Sequence, residues 1–401
     1  MKYLYNQTTK KTTLMENPSS LSYTKLISIL GLAGFISAAD NWFISPSLSA
    51  IASEFNVSSS IAASILTAYL IPYGIMQPVF GFLSDRFSKT KILQFIVCGL
   101  ALGTGGCSLS NSLEMLLVCR AFTGFFAAGI IAVSLALIGD TVKASDRQIY
   151  VGRFLGIIFL GQGLSSGLGG ILTKYFSWRV SLVFFTIASI LTVFLLHKLP
   201  YVFPVPIHHK FLPEIKRVIF TPKGKVIFPL ALLTGFLLIG LYSFLGSFLH
   251  DVLGLDYLQV GTVIMFYGFA CLIAGSQVGK LEQKLGKKAT LLLGSCFSLC
   301  TILLLMIFSC WQAVWIATIS LGFGYIFIQS TLATSCFDIA SESKGLPSGI
   351  IGLCLFGGAG LGTAFNGWLL SELDYKSLWL IVTLEIIIFV LIISKLNYNK
   401  I

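Results

Sequence analysis

"GFLSDRFSKTK" (residues 81–91) and "GKLEQKLGKKA" (residues 279–289) are two versions of one short segment, 198 residues apart. Each follows a long apolar run, begins with glycine, has leucine two positions later and contains a basic cluster. The same offset relates two further pairs of residues, Gly124 with Gly322 and Asp140 with Asp338. Because several features share one offset, the sequence predicts a chain of two similar halves.

The composition indicates a membrane protein. Of the 401 residues, 56% are hydrophobic and only 11% are charged, whereas a soluble domain has about 25% charged residues. The apolar segments run to about 20 residues, which is the length of a helix that crosses a bilayer. They lack the alternating pattern of outer-membrane barrel strands, so the predicted fold class is an all-α membrane protein.

The sequence predicts twelve spans, numbered 1 to 12 along the chain: 26–50, 60–83, 91–109, 113–139, 148–173, 178–197, 226–249, 258–279, 289–308, 311–337, 345–370 and 377–395. They divide the chain into an N-terminal arm, a six-helix half, a linker, a second six-helix half and a tail: 1–25, 26–197, 198–225, 226–395 and 396–401. Halves of six spans enter the membrane in the same orientation, which places a substrate site near mid-membrane between them.

Basic residues are concentrated on one side of these spans. Of 27 Lys and Arg residues, 23 lie in the N-terminal arm, the even-numbered loops and the tail, or at the span ends next to them. By the positive-inside rule both termini are cytoplasmic, and we expect a bacterial inner (plasma) membrane. Small basic loops beside lipid favour contact with anionic membrane lipids rather than with nucleic acid.

Several classes of chemistry are disfavoured. The chain has no G-x-x-x-x-G-K-[ST] segment for ATP phosphates, and its four histidines lie at loops or span ends. No arrangement of Ser, His and Asp suggests hydrolysis. We therefore expect no cofactor, no metal and no enzyme activity, which leaves an ion gradient as the energy source.

Only Asp40, Arg120 and Glu385 are ionisable residues that lie clearly inside the membrane rather than near the end of a predicted span. Each costs about 2.5–3.5 kcal/mol at the centre of a membrane helix, so such residues usually have partners. Helix arithmetic places Asp40 about 9 Å and Arg120 about 10 Å from the outer face. We therefore predict a direct or water-bridged pair that couples transport to protons; the alternative is a static ion pair that fixes helix packing.

Over roughly residues 25–395 the sequence resembles the major facilitator superfamily, most closely its twelve-span drug:proton antiporters. Gly81, Asp85, Arg86 and Lys89 occupy the positions of that family's loop 2–3 signature, and Ser88 replaces its second glycine. The resemblance implies that these residues form a gating motif. In the second half the motif is degraded, because Gln283 occupies the position of Asp85.

Two further segments carry the resemblance. Arg120 and Gly124 fit the family's arginine-containing motif in span 4. In span 5, glycines match the antiporter signature at Gly152, Gly161, Gly169 and Gly170. Ser165 and Ser166 stand where that signature has Gly-Pro, which the family associates with antiport. Close helix packing is an equally good interpretation of these small residues.

Polar residues at helical spacing indicate a central cavity, since polar faces in a membrane usually point inward. Helix–helix hydrogen bonding is the alternative role for each of them. The candidates are Ser37, Asn41, Tyr69, Tyr73, Gln77, Gln162, Ser166, Tyr242 and Gln329.

The sequence thus favours a monomeric secondary active transporter that exports small lipophilic compounds, including cationic ones, in exchange for protons. A metabolite or sugar permease on the same fold is one alternative, with Arg120 binding an anionic substrate group. A flippase for lipid-linked substrates and a non-transporting sensor or scaffold are the others.

Overall fold

The computed structural model describes residues 22–62, 64–199, 210–340 and 343–395. Most of the predicted N-terminal arm, about a third of the linker and the tail lie outside these ranges. The described residues form helices and connecting turns and contain no strand. Every predicted span corresponds to helix, so the fold class, twelve transmembrane helices in two six-helix halves, is confirmed.

The helices of the first half give spans 1 to 6. They are Tyr23–Trp42 and Ile44–Glu54 (span 1), Ser64–Arg86 (span 2), Lys89–Ser108 (span 3), Leu113–Thr141 (span 4), Arg147–Tyr175 (span 5) and Trp178–Leu196 (span 6). A short helix, Ser59–Ala62, precedes span 2.

A linker helix, Phe211–Ile219, leads to the second half. Span 7 consists of Gly224–Thr234 and Gly240–Ser247, which are joined by a π-helical turn at Gly235–Ile239, and it ends in a second π-helical turn at Phe248–Val252. The remaining helices are Tyr257–Leu285 (span 8), Lys287–Ile307 (span 9), Trp311–Ser335 (span 10), Gly345–Glu372 (span 11) and Tyr375–Lys395 (span 12), with a 3₁₀ turn at Cys336–Asp338. Spans 2 to 12 are each long and apolar enough to cross a membrane.

Span 1 differs from its prediction, because the helix expected to run unbroken over 26–50 is interrupted at Phe43. Pro46 explains the interruption, because proline has no N–H to donate to the Trp42 carbonyl four residues earlier. Proline is tolerated in the first turn of a helix, so a second helix begins at Ile44. The break leaves backbone carbonyls of the first helix available to other donors.

The internal repeat is visible in the packing of the helices. A Cβ atom on Gly124 would lie 2.1 Å from the carbonyl oxygen of Tyr69, and one on Gly322 would lie 2.8 Å from that of Tyr267. The two tyrosines are themselves 198 residues apart. The same glycine therefore brings span 4 against span 2 and span 10 against span 8.

An ion pair repeats at the same offset. Lys89 lies 2.9 Å from Asp140 in the first half, and Lys287 lies 3.2 Å from Asp338 in the second. Each pair joins the start of one span to the end of the next, at the end of the bundle that carries the basic loops. We call this the basic end.

Glycines also close the boundary between the halves. A Cβ on Gly275 of span 8 would lie 2.2 Å from the carbonyl oxygen of Gly152 in span 5. A Cβ on Gly81 of span 2 would lie 2.2 Å from that of Gly345 in span 11. Only residues without a side chain permit such backbone approach. The halves are thus in close contact at the basic end, with the central site enclosed beyond it.

Candidate functional site

Asp40 and Arg120 form a buried ion pair between spans 1 and 4. Arg120 Nη1 donates to Asp40 Oδ2 at 3.2 Å, and both side chains are fully buried. The same nitrogen donates to the Asp40 backbone carbonyl at 3.3 Å, and Nη2 approaches Asn41 Oδ1 at 3.5 Å. The pair predicted by depth arithmetic is therefore present as a direct contact.

The position of Arg120 is explained by the break at Phe43. The last carbonyls of a helix lack intrahelical donors and carry partial negative charge, so a cation is favourable there. Arg120 meets both the carboxylate and one of these carbonyls of the Tyr23–Trp42 helix. One guanidinium thus fixes a side chain and the end of a helix at the same time.

Aromatic and hydroxyl groups surround the pair. The Arg120 guanidinium carbon lies 4.4 Å from the centre of the Tyr69 ring, within the range of a cation–π interaction. Thr104 lies beside the Asp40 carboxylate. Arg120 Nε makes no hydrogen bond with the described residues. The charges are neutralised mainly by each other, so the loss of one would leave the other poorly compensated.

A small cavity lies beside this pair, between the two halves. Its volume is about 20 Å³, which is room for about one water molecule. No described residue that lines it carries a charge. The lining residues are Ser37, Ala38, Asn41, Trp42, Tyr69, Tyr73, Ile131, Ile158, Phe159, Gln162 and Phe356.

Five of the nine predicted cavity residues line this space, namely Ser37, Asn41, Tyr69, Tyr73 and Gln162. The other four lie elsewhere. Ser166 is one helical turn along span 5 and donates to the Gln162 carbonyl. Tyr242 packs edge-on against Trp42, with ring centres 5.7 Å apart.

Gln77 and Gln329 are buried away from the cavity. Gln77 lies against Gly352 of span 11, and its amide makes no hydrogen bond within the described part of the chain. Gln329 Oε1 likewise accepts no hydrogen bond from the described residues. Neither residue lines the cavity in this conformation, so their place in a substrate cavity stays a prediction.

Six lining residues were not predicted from the sequence, and three of them are aromatic: Trp42, Phe159 and Phe356. Phe356 of span 11 packs edge-on against Tyr73 of span 2, with ring centres 4.9 Å apart. Phe159 of span 5 packs edge-on against Tyr325 of span 10 at 4.7 Å. Both contacts join the two halves across the centre of the bundle. In the sequence, Trp42 follows Asn41 and Phe159 lies about one turn before Gln162, whereas span 11, which contains Phe356, has no predicted cavity residue.

At the basic end, the predicted gating motif binds the beginning of span 11. Asp85 accepts hydrogen bonds from the backbone N–H groups of Gly345, at 2.8 Å, and Leu346, at 2.9 Å. It also accepts one from the Ser343 hydroxyl at 2.6 Å. A carboxylate is favourable at this position because the first N–H groups of a helix carry partial positive charge. We call Asp85 and these three partners the latch.

The other motif residues support the latch. Gly81 permits the close approach of Gly345 described above, and Lys89 lies 3.7 Å from Asp85. Arg86 places its guanidinium 4.2 Å from the centre of the Phe82 ring. Spans 2 and 11 are thereby held together at the basic end.

A second contact between the halves runs through Asp140 of span 4. Its carboxylate lies 2.9 Å from Lys89 Nζ and 3.0 Å from Lys344 Nζ. Lys344 also donates to the Gly139 carbonyl at 2.7 Å. Since Lys344 immediately precedes span 11, this cluster and the latch hold the same segment.

The family model described as Major Facilitator Superfamily matches residues 30–363. The chain belongs to the major facilitator superfamily.

Among curated relatives, the chain is 30% identical over 197 residues to the multidrug resistance protein fnx1 of Schizosaccharomyces pombe, a match covering 47% of this chain and 37% of that protein. It is 31% identical over 190 residues to the MFS antiporter QDR2 of Candida albicans, covering 45% and 38%. It is 28% identical over 170 residues to citrate exporter 1 of Aspergillus niger, covering 41% and 32%. The matches thus span only about a third of each relative.

The fold is also that of a solved facilitator. The crystal structure of the human organic anion transporter MFSD10 (TETRAN) aligns with a TM-score of 0.74 and 13% identity, covering 94% of this chain and 100% of that one. At this identity the likeness concerns the fold alone. The chain is therefore a multi-pass membrane protein with the facilitator architecture.

Ser165 and Ser166 lie inside the regular helix of span 5 and form side-chain hydrogen bonds to its backbone. Both side chains bond the Gln162 carbonyl, at 3.0 and 3.3 Å. Span 5 runs unbroken through these residues, from Arg147 to Tyr175. A proline at position 166 would remove a backbone donor, so its absence leaves span 5 a regular helix here.

Proposed function

We propose that this chain is a secondary active transporter that couples proton movement to the export of small lipophilic compounds. The observation that carries the proposal is the buried Asp40–Arg120 pair, which lies at a helix break beside the cavity between the halves. A proton is the smallest ligand that can separate such a pair, since it removes the charge from Asp40.

Protonation of Asp40 has a defined structural consequence. It weakens the bond to Arg120 Nη1, which also holds the Asp40 carbonyl at the end of the first helix of span 1. The Ile44–Glu54 helix then gains freedom to pivot about Phe43. A titratable group is in this way connected to movement of the outer half of span 1.

The latch forms a gate at the basic end, opposite the outer half of span 1. With Asp85 bonded to span 11 and a cavity of about 20 Å³, the structure represents a closed basic end. Substrate entry from that end requires separation of spans 2 and 11. Opening of the two ends in alternation is what exchange of a substrate for a proton needs.

The lining of the cavity supports a lipophilic substrate. Trp42, Tyr73 and Phe356 present aromatic surface, while Asn41 and Gln162 supply amide groups. Because Asp40 is fully buried behind this lining, a cationic compound reaches its carboxylate only after the Arg120 contact opens. The proposal therefore favours neutral compounds over the cationic ones that the sequence also suggested.

The test is transport in proteoliposomes with an imposed pH gradient and a panel of lipophilic compounds. Wild type should accumulate a panel member in proportion to the gradient, and Asp40→Asn should abolish that dependence. Glu385→Gln is the matched control, because Glu385 is a half-buried acid of span 12. Gradient-driven accumulation by Asp40→Asn would refute the coupling role.

A permease for anionic metabolites is the second candidate. Two observations favour it: Ser165 and Ser166 replace the antiport-associated Gly-Pro, and one relative is named a citrate exporter. Arg120 would then bind a substrate carboxylate. Accumulation of labelled citrate, lost in Arg120→Gln but retained in Asp40→Asn, would support this function over the first.

We further propose a monomer with both termini in the cytoplasm, as the distribution of basic residues suggests. The curated relatives named above are fungal, which lends no support to the expected bacterial inner membrane. Protease accessibility of tags on the two termini in sealed cells tests the orientation.

A further inference from the structure

The linker helix, Phe211–Ile219, has a buried face that attaches it to the bundle. Phe211 packs against Phe82 at the basic end of span 2, with ring centres 5.0 Å apart. Glu214 and Val218, one and two turns along the helix, are also buried. The helix is therefore docked on the transporter rather than held away from it.

Its opposite face combines apolar and cationic side chains. Leu212 is 68% exposed and Phe220, directly after the helix, is 65% exposed. Lys216 and Arg217 are exposed between them. Two large apolar groups on either side of two cations form one continuous strip, which we call the linker strip: Leu212, Lys216, Arg217 and Phe220.

The exposed charged side chains around the linker strip are all positive. Residues 210–225 contain five cations and one acid: Lys210, Lys216, Arg217, Lys223, Lys225 and Glu214. The acid is turned inward and buried, with Glu214 Oε1 3.5 Å from Arg217 Nη1. The exposed face therefore repels cations and attracts polyanionic surfaces.

Chain continuity places this face at the membrane boundary. Span 7 begins at Gly224, within about one turn of Phe220. Helices with apolar groups beside Lys and Arg lie in the headgroup layer, where the apolar groups leave water and the cations meet lipid phosphates. An anionic bilayer surface thus matches both the apolar and the cationic residues of the strip.

We propose that the linker strip is a binding surface for anionic phospholipids of the adjacent leaflet. Lys216 and Arg217 hold headgroup phosphates, while Leu212 and Phe220 insert beside the upper acyl chains. The linker helix connects the bound lipid to the gating motif indirectly. Phe211 packs against Phe82, and the guanidinium of the motif residue Arg86 lies over the same Phe82 ring. This inference does not depend on what the transporter carries.

Photo-crosslinking tests the site directly. The purified full chain, with a benzophenone amino acid at Leu212, is placed in phosphatidylcholine vesicles containing about 20 mol% phosphatidylglycerol, and lipid adducts are counted by mass spectrometry. We expect phosphatidylglycerol to be enriched about fivefold over its bulk ratio, the effect of roughly one cation near a membrane surface. The matched control is the same amino acid at Leu384, which is 54% exposed on span 12 and should crosslink in the bulk ratio.

Charge variants complete the test. Lys216→Gln with Arg217→Gln should return the adducts at position 212 to the bulk ratio. Lys143→Gln with Lys284→Gln, which removes two other exposed cations at the basic end, should leave the enrichment unchanged. Equal lipid ratios at positions 212 and 384, enrichment that survives the loss of Lys216 and Arg217, or no lipid adduct at position 212 would each overturn the proposal.

Discussion

Gly124 lies so close to Tyr69 that a Cβ atom on the glycine would be 2.1 Å from the tyrosine's carbonyl oxygen. Arg120 is one helical turn before Gly124, so it lies on the same face of span 4. Its guanidinium rests 4.4 Å from the centre of the same Tyr69 ring. The close approach of spans 4 and 2 therefore sets the position of the charged centre.

Gly124→Ala should destabilise the protein by about 2 kcal/mol, since overpacking costs up to about 3 kcal/mol and alanine recovers about 1 kcal/mol in a helix. The control is Gly357→Ala, because nothing lies within 4 Å of a Cβ there; this variant should be neutral or slightly more stable. Thermal unfolding in detergent measures both. Equal midpoints for the two variants would show that spans 4 and 2 are not held by this contact.

Asp40→Asn and Arg120→Gln should each destabilise the fold more than their combination does. A buried charge left without its partner costs about 3–5 kcal/mol, whereas removal of both charges is often close to neutral. The measurement is a double-mutant cycle on the free energy of unfolding. Additive penalties would mean that the two side chains do not act as a pair.

The charged centre was largely predictable from the sequence. A charge in a membrane span is rare, so Asp40 and Arg120 were recognisable individually, and the fixed rise of a helix placed them at one depth. The internal repeat was equally predictable, because the offset of 198 residues relates Lys89 and Asp140 to Lys287 and Asp338. These inferences need only periodicity and length.

The cavity was less predictable. Helical periodicity predicts that Gln77 lies on the polar face of span 2. It does not predict that Gly352 of span 11 packs against the Gln77 side chain. Trp42 and Phe356 could not be singled out because the chain has 33 Phe and 6 Trp, many of which face lipid. The break at Phe43 had a signal in Pro46, yet a proline in a membrane span is compatible with an unbroken helix.

Asp85→Asn should loosen the basic end. The substitution removes the negative charge from the N-terminus of span 11 and keeps only part of the hydrogen bonding, which weakens the attraction to that helix end. Cys336, which is fully buried at this end, reports the change. Its labelling by a polar maleimide, read by peptide mass spectrometry, should be several-fold faster than in wild type.

Gln283→Ala is the matched control for Asp85→Asn. Gln283 occupies the equivalent position in the second half and makes one neutral hydrogen bond, to the Ser145 carbonyl at 3.1 Å. Its loss should change Cys336 labelling little. If both variants label at the wild-type rate, then the latch does not hold the basic end closed.

Asp140→Asn should cost more stability than Asp338→Asn, although the two aspartates are equivalent by the repeat. Asp140 compensates two cations, Lys89 and Lys344, whose side chains are 8% and 14% exposed, whereas Asp338 pairs with Lys287, whose side chain is 33% exposed. Exposed pairs contribute about 0–1 kcal/mol and are screened by salt, while stranding poorly hydrated cations costs more. Unfolding midpoints at low and high salt should therefore show a small, salt-sensitive loss for Asp338→Asn and a larger, persistent one for Asp140→Asn. Equal losses of stability for the two variants would show that Asp140 contributes no more than Asp338, and therefore that Asp140 does not stabilise the contact between the halves.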